Sequence, residues 1–280
     1  MNNEIIAGLR PTLKTYAYNI CGSVDDAEDV VQDVMMKYLT LDDTNIENPK
    51  SYLIRMVINH AINQKKKLNK KVTKYPGEWL PEPIAMESAD SGINKKELLS
   101  YSLMVLLEKL NPRQRAVFIL KEAFDYEHTE IATVLDIKPD LSRQLLTRAK
   151  KSIGNPQDVQ AHTVPDAFLN HYMQVLQSGD MQRLEALLNE DIVSISDGGG
   201  KVRAAINPVY GKKDVAALLL GLYNRFYQNS EVKQGLINQQ PALFYYLDGQ
   251  LAKCVTFTIR NGQLSGAYII RNPDKFAHLK

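Results

Sequence analysis

Arg143, Gln144, Arg148, Lys150 and Lys151 lie close together within the stretch HTEIATVLDIKPDLSRQLLTRAKKSI. Arginine and glutamine side chains can each make two hydrogen bonds to a base edge, to guanine and adenine respectively, and later basic residues suit phosphates. A second basic surface is encoded upstream. Arg55, Asn59, Asn63 and then Lys65, Lys66 and Lys67 recur every three or four residues and end in NQKKKLNKK. Each pattern alone also describes an ordinary solvated helix face. Two such surfaces on separate helical segments could grip one nucleic acid at two places.

Other chemistry is weakly encoded. His171, Asp197 and Asp248 are the acid–base candidates of the C-terminal part, but nothing in the sequence makes them converge, and Asp248 stands in an Asp-Gly turn where backbone conformation already favours it. The run Asp197, Gly198, Gly199, Gly200, Lys201 invites a phosphate-loop reading that fails on spacing. Ile195 stands where the first glycine is required, and Val202 replaces the metal-binding hydroxyl. A glycine-rich turn that lets another segment approach the backbone is the better reading. Cys21 and Cys254 match no metal spacing and are expected to be free thiols. No cofactor is expected.

The 280 residues carry a net charge of +2, a total that hides a separation of sign. Met1 to Pro49 holds nine acidic and three basic residues, whereas Lys50 to Lys74 holds eight basic residues and no acid. No apolar run is long enough to span a bilayer, and the amino terminus lacks the layout of a secretion signal. A cytoplasmic protein without a membrane partner is expected.

The elements that must position these residues are read from periodicity and caps. SVDDAEDVVQDVMMKYL has Ser23 and Asp26 at capping-box spacing. Its apolar face runs through Val30, Val31 and Val34, and Asp29, Gln32, Asp33 and Met36 form another stripe. A loop from Leu41 to Pro49 precedes a long helix ending in lysines. Residues 74–94 read as a linker, yet EWLPEPI within it holds the only tryptophan, Trp79, with Leu80, Pro81, Glu82 and Pro83. Asn111 and Pro112 begin another helical block. Residues 128–153 have a helix-turn-helix layout, with the turn at Asp136 to Lys138 and a second helix from Pro139. From about Pro165 the pattern becomes helices followed by strands, with hairpin signals at Asp248-Gly249 and Asn261-Gly262. The expected fold is multidomain: two all-α modules, then an α+β domain with an antiparallel sheet.

DDAEDVVQDVMMKYL, NPKSYLIRMVINHAINQKKK and LNPRQRAVFILKEAFDYEHTEIATVL…SRQLLTRAKK, in that order, resemble the bacterial extracytoplasmic-function sigma factors of the sigma-70 family. WLPEP, DGGGK and the NPDK of Asn272, Pro273, Asp274 and Lys275 resemble the subgroup with a C-terminal SnoaL-like (NTF2-like) cone. Lys138 departs from the family, which more often has serine there. The resemblance implies sigma region 2 at 1–73, the WLPEP linker at 74–94, region 4 at 95–153, a second linker at 154–164, and a regulatory cone at 165–280. It also implies that Asp29, Gln32, Asp33 and Met36 dock on core RNA polymerase. Arg55, Asn59, Asn63, Lys65, Lys66 and Lys67 would hold the melted −10 element. Arg143, Gln144, Arg148, Lys150 and Lys151 would read the −35 duplex. Trp79 to Pro83 would dock, through a buried indole, against Asp197–Lys201 and Asn272–Lys275, making the cone a built-in regulator open to a small-molecule or protein signal. The competing readings are an autonomous helix-turn-helix regulator and a SnoaL-like enzyme.

Overall fold

A computed structural model describes residues 2–41, 46–87, 92–154 and 166–279. Residues 42–45 of the Leu41–Pro49 loop and nearly all of the expected 154–164 linker therefore lie outside the described residues. Two compact units emerge. One gathers the described residues within Met1–Lys74, Ala89–Leu99 and Leu103–Pro156; the other gathers those within Tyr75–Ser88, Ser100–Ser102 and Gln157–Lys280.

The first unit is helical. Helix α1 (Asn2–Cys21) carries no cap signal in the sequence, yet it packs with α2 (Val24–Leu39) and α3 (Pro49–Val72). The Ser23 side chain accepts a hydrogen bond from the Asp26 N–H at 3.3 Å and starts α2. Asn48 caps α3 through the Ser51 N–H at 3.0 Å, ahead of Pro49 in the first turn. The shared core includes Leu13 and Tyr18 of α1, Val31 and Val34 of α2, and Leu53, Val57 and Ile58 of α3. Each such side chain removed from water contributes about 1.5–3 kcal/mol.

Helix α4 (Tyr101–Leu107) leads to α5 (Pro112–Phe118), whose Asn111 and Gln114 form a complete capping box. Helices α6 (His128–Leu135) and α7 (Pro139–Ile153) follow. Asp136 ends α6 in the left-handed conformation at φ 53°, a geometry that aspartate tolerates. Lys138 gives α7 no side-chain cap. Pro139 in its first turn and a 2.8 Å contact between His128 Nδ1 and Ser142 Oγ fix the helix start against α6 instead.

In the second unit, α8 (Asp166–Ser178), α9 (Met181–Ala186) and α10 (Lys212–Leu222) cover one face of a sheet. The strands are β1 (Leu188–Asp197), β2 (Val209–Tyr210), β3 (Glu231–Ile237), β4 (Gln240–Leu247), β5 (Gln250–Arg260) and β6 (Gln263–Ile270), in the order β2-β1-β6-β5-β4-β3. The sheet corrects the antiparallel expectation: β1 runs parallel to β6, so the sheet is mixed. The α10 crossover after β1 makes that direction available, whereas β3 to β6 follow one another through hairpins. Asp248-Gly249 and Asn261-Gly262 both adopt positive φ at their turns. Bulges between Tyr245 and Tyr246 and between Thr258 and Ile259 bend the strands around the helices. Tyr172, Leu176, Leu219, Leu243, Phe257 and Ile269 belong to the core so enclosed.

Glu28 ties α2 to α1 through Arg10 and through Lys14 at 2.8 Å. Burial raises its carboxyl, but the hydrogen bonds from Lys14 and Arg10 outweigh that and hold it at about 2. A lowered folded-state value stabilises above the ordinary carboxylate range, and the gain disappears as pH falls through about 2. Glu28→Gln should therefore be less stable than the parent near neutral pH and converge with it in strong acid, as read by urea unfolding across pH. A gap independent of pH would contradict this linkage.

Candidate functional site

Helix α7 buries Ser142, Leu145, Ala149 and Ile153 and leaves Arg143, Gln144, Arg148, Lys150 and Lys151 exposed. Arg143 lies 2.6 Å from Asp140, and Lys150 lies 2.9 Å from Glu122. Both are solvent-facing pairs of small net worth, so either cation can exchange its partner for a phosphate or base edge at little cost.

The α3 stripe divides. Arg55, Asn63, Lys66 and Lys67 are exposed. Asn59 is half-buried and donates to the Val134 carbonyl of α6 at 2.7 Å. Lys65 departs from expectation: it is buried and does not join the exposed lysines. Its ammonium donates to the Cys21 carbonyl at 3.0 Å and to Glu108 at 2.7 Å. Glu108 also binds Arg115, which is fully buried and donates to the Asn19 carbonyl at 2.9 Å. Burial pushes the Lys65 amine down to about 8 despite Glu108. For Glu108, burial acts upward, and Arg115 with Lys65 overcomes it to leave the carboxyl below its ordinary range. Lys65, Glu108 and Arg115 therefore form one charged unit sealed between α3 and the α4–α5 segment. Beside it, Asn59, Asn63 and Lys66 line a groove of about 270 Å³ with Arg113, Asp136 and Ile137.

Asp29, Gln32, Asp33 and Met36 are all exposed on α2, Met36 to 64%. They line a shallow groove of about 220 Å³ with His60 and Gln64 of α3. His60 Nε2 lies 3.1 Å from Asp33, and Gln64 donates to Asp26 at 2.6 Å. Sequence reasoning missed this histidine and glutamine; their spacing of four on α3 was the available signal.

The second unit brings most of the linker and loop candidates together around Asp197, which is 1% exposed. Its carboxylate accepts from the Tyr75 hydroxyl at 2.6 Å, the Leu80 N–H at 2.9 Å, the Gly199 N–H at 3.0 Å and the Lys275 ammonium at 2.6 Å. Lys275 also donates to the Leu80 carbonyl, and Asn272 donates to the Tyr75 hydroxyl at 3.0 Å. A Cβ on Gly199 would fall 2.4 Å from the Asn272 side chain, and one on Gly200 would fall 2.6 Å from Pro76. The glycines thus serve close approach. Gly198 likewise passes against the Val202 carbonyl, and Lys201 pairs on the surface with Asp274 at 2.6 Å. Pro273 opens the short turn that places Lys275.

Trp79 departs from the expected buried indole. It is half-buried with the Lys275 ammonium 4.2 Å from its ring centre, while Leu80, Pro81, Pro83 and Ile84 are buried around it. Glu82 is half-buried. Tyr75 and Pro76, just before the EWLPEPI stretch, join the cradle without any spacing signal in the sequence. The acid–base candidates occupy unrelated settings: Asp197 is neutralised by Lys275, His171 is exposed on α8, and Asp248 forms the β4–β5 turn.

Among the described residues no helix is long and apolar enough to cross a membrane. Residues 5–71 match the family profile Sigma-70 region 2, and residues 100–153 match Sigma-70, region 4. Over 284 aligned residues the chain is 29% identical to the ECF RNA polymerase sigma factor SigJ of Mycobacterium tuberculosis, covering 96% of this chain and 91% of that one. It is 22% identical to the probable ECF sigma factor SigI of the same species, over 97% and 93% of the two chains. The crystal structure of Mycobacterium tuberculosis SigJ superposes with a TM-score of 0.78 at 28% identity, covering 99% of each chain. Two sigma regions in order, and a whole-chain likeness that extends through the mixed-sheet domain, show that this chain belongs to the extracytoplasmic-function sigma factors of the sigma-70 family.

Proposed function

We propose that the protein binds core RNA polymerase through the α2 face of Asp29, Gln32, Asp33 and Met36, and directs it to promoters by two DNA contacts. The observation that carries this reading is the pair of exposed cationic surfaces on α3 and α7, in two matched sigma regions. Arg143 and Gln144, near the start of α7, suit base edges of a duplex −35 element, and Arg148, Lys150 and Lys151 suit its phosphates. Arg55, Asn63, Lys66 and Lys67 suit the backbone of the melted −10 strand. The protein contributes positioning and strand capture, and nucleotidyl transfer belongs to the polymerase.

The described arrangement is a resting one in this reading. Asn59 is engaged by α6, and the groove beside Asn63 and Lys66 is walled by the helix-turn-helix turn. A strand lying along α3 requires that turn to move away. Opening returns Lys65, Glu108 and Arg115 to water, which repays much of the desolvation cost of sealing them. The closed form is therefore specific without being deep. The Asp197 cradle and the β3 end of the sheet hold residues 75–87, part of the chain joining the two sigma regions, and so limit the free length available for their separation.

Transcription in vitro with bacterial core RNA polymerase tests the reading. The protein should direct initiation at discrete sites that core polymerase alone does not use. Arg143→Ala should weaken duplex binding at the upstream element by about 1–3 kcal/mol and relax preference at one or two bases. Tight, specific promoter binding without polymerase, combined with no initiation in its presence, would favour a free-standing regulator instead. Asp197→Asn should leave Lys275 buried without a counter-charge, at a cost of about 3–5 kcal/mol. Release of residues 75–87 would then red-shift the emission of Trp79, the only tryptophan. Unchanged emission and unchanged stability would remove Asp197 from the cradle.

A further inference from the structure

Lys253 of β5 is 5% exposed, and among the described residues no carboxylate pairs with it. Strand alternation turns it, with Val255 and Phe257, toward the helix-covered interior of the sheet. Its ammonium lies 3.5 Å from the ring centre of Tyr245 and 3.9 Å from that of Tyr227. Burial lowers its amine well below the ordinary lysine value, and Arg271 lowers it further.

The sheet register explains why Arg271 matters. Cys254 pairs with Ile270 across β5 and β6, so the next position places Arg271 opposite Lys253, with Tyr245 opposite Lys253 on the other side. Arg271 therefore shares the interior face with Ile269 and Ala267, and its Cζ lies 5.8 Å from the Tyr227 ring centre and 5.5 Å from that of Phe226. One guanidinium N–H reaches the Arg203 carbonyl and the side chain also hydrogen-bonds Tyr227, but among the described residues the buried Nε has no hydrogen-bond partner. Two cations facing each other across adjacent strands repel. A buried, unneutralised ammonium is a further cost, and the aromatic faces offset only part of it. Phe226 stands at the edge of this row with 42% exposure and offers an apolar surface open to solvent.

We propose that Lys253 and Arg271 form a binding site for a small aromatic carboxylate. Its carboxylate bridges the Lys253 ammonium and the unpartnered Arg271 Nε–H, and its ring packs against Phe226 and Tyr227. Arginine and carboxylate match as planar, charge-assisted partners, and the anion supplies the negative charge that the fold withholds. This site adjoins the Asp197 cradle through the Arg271 N–H, which donates to the Asp197 carbonyl at 2.8 Å, but it uses other side chains and does not depend on the polymerase reading.

The test uses the full-length protein with benzoate, benzamide and inorganic phosphate, followed by thermal unfolding and calorimetry. Benzoate should raise the melting temperature saturably, while benzamide, its uncharged isostere, should not. Lys253→Met should by itself raise the melting temperature, because it removes a buried like charge, and should abolish the benzoate response. Arg271→Gln should weaken benzoate binding by about tenfold to a hundredfold. Phosphate binding as strongly as benzoate would overturn the aromatic specificity. No saturable benzoate response, or a response unchanged in Lys253→Met, would overturn the site itself.

Discussion

The arrangement of the sigma regions depends on two buried cations and the partly buried carboxylate that they share. Lys65 comes from the long region 2 helix, Arg115 from region 4, and Glu108 lies between them as their shared counter-ion. Two backbone carbonyls at the end of α1, those of Asn19 and Cys21, accept from Arg115 and Lys65, and Arg115 also donates to the Met104 sulfur. Every group has a partner, which is the condition under which buried charge is tolerated. Such a unit contributes less to stability than to choosing one arrangement over others. An apolar contact of the same size would bind the regions more firmly and would release them less readily.

The same physics recurs in the second unit with a different outcome. Asp197 and Lys275 are also buried and paired, but they sit inside a shell of local hydrogen bonds from Tyr75, Leu80, Gly199 and Asn272. The pair does not join two movable bodies; it fastens an extended segment to a rigid sheet. The glycines at 199 and 200 are needed because Asn272 and Pro76 occupy the volume that a side chain would fill. Leu80, Ile84 and the prolines then supply apolar burial, and Trp79 covers the ammonium from the outside.

Much of this was legible in the sequence. Ser23, Asn111 and Pro139 marked helix starts, and Asp248-Gly249 and Asn261-Gly262 marked turns, because caps and tight turns are set by neighbours in the chain. What was not legible is non-local. Strand β1 carries a short β-branched signature in Ile192, Val193 and Ile195, but its parallel pairing with β6, far along the chain, has no local signal. The β3–β4 turn uses Asn238 and Gln239 at positive φ without a glycine, and the Asn238 side chain is held by the Ile84 N–H. Lys65 looked like one of a run of solvated lysines. Its spacing from Ile54, Ile58 and Ala61 continues the buried face of α3, and that period, rather than its charge, decided its location. No sequence rule identified Glu108, whose role exists only once helices are packed.

The central claim is that α3 and the helix-turn-helix are held together at rest and part on engagement with polymerase. Cys21 and Cys254 are both buried, and burial pushes the Cys21 thiol up to about 12, so spin labels can be directed to introduced cysteines. Labels at the exposed positions Lys67 and Thr133 report the separation of α3 from α6 by electron–electron dipolar spectroscopy. The account predicts one short distance in the free protein and a longer one when core polymerase and promoter DNA are added. A distance that is long in the free protein, or that does not change in the complex, would contradict it.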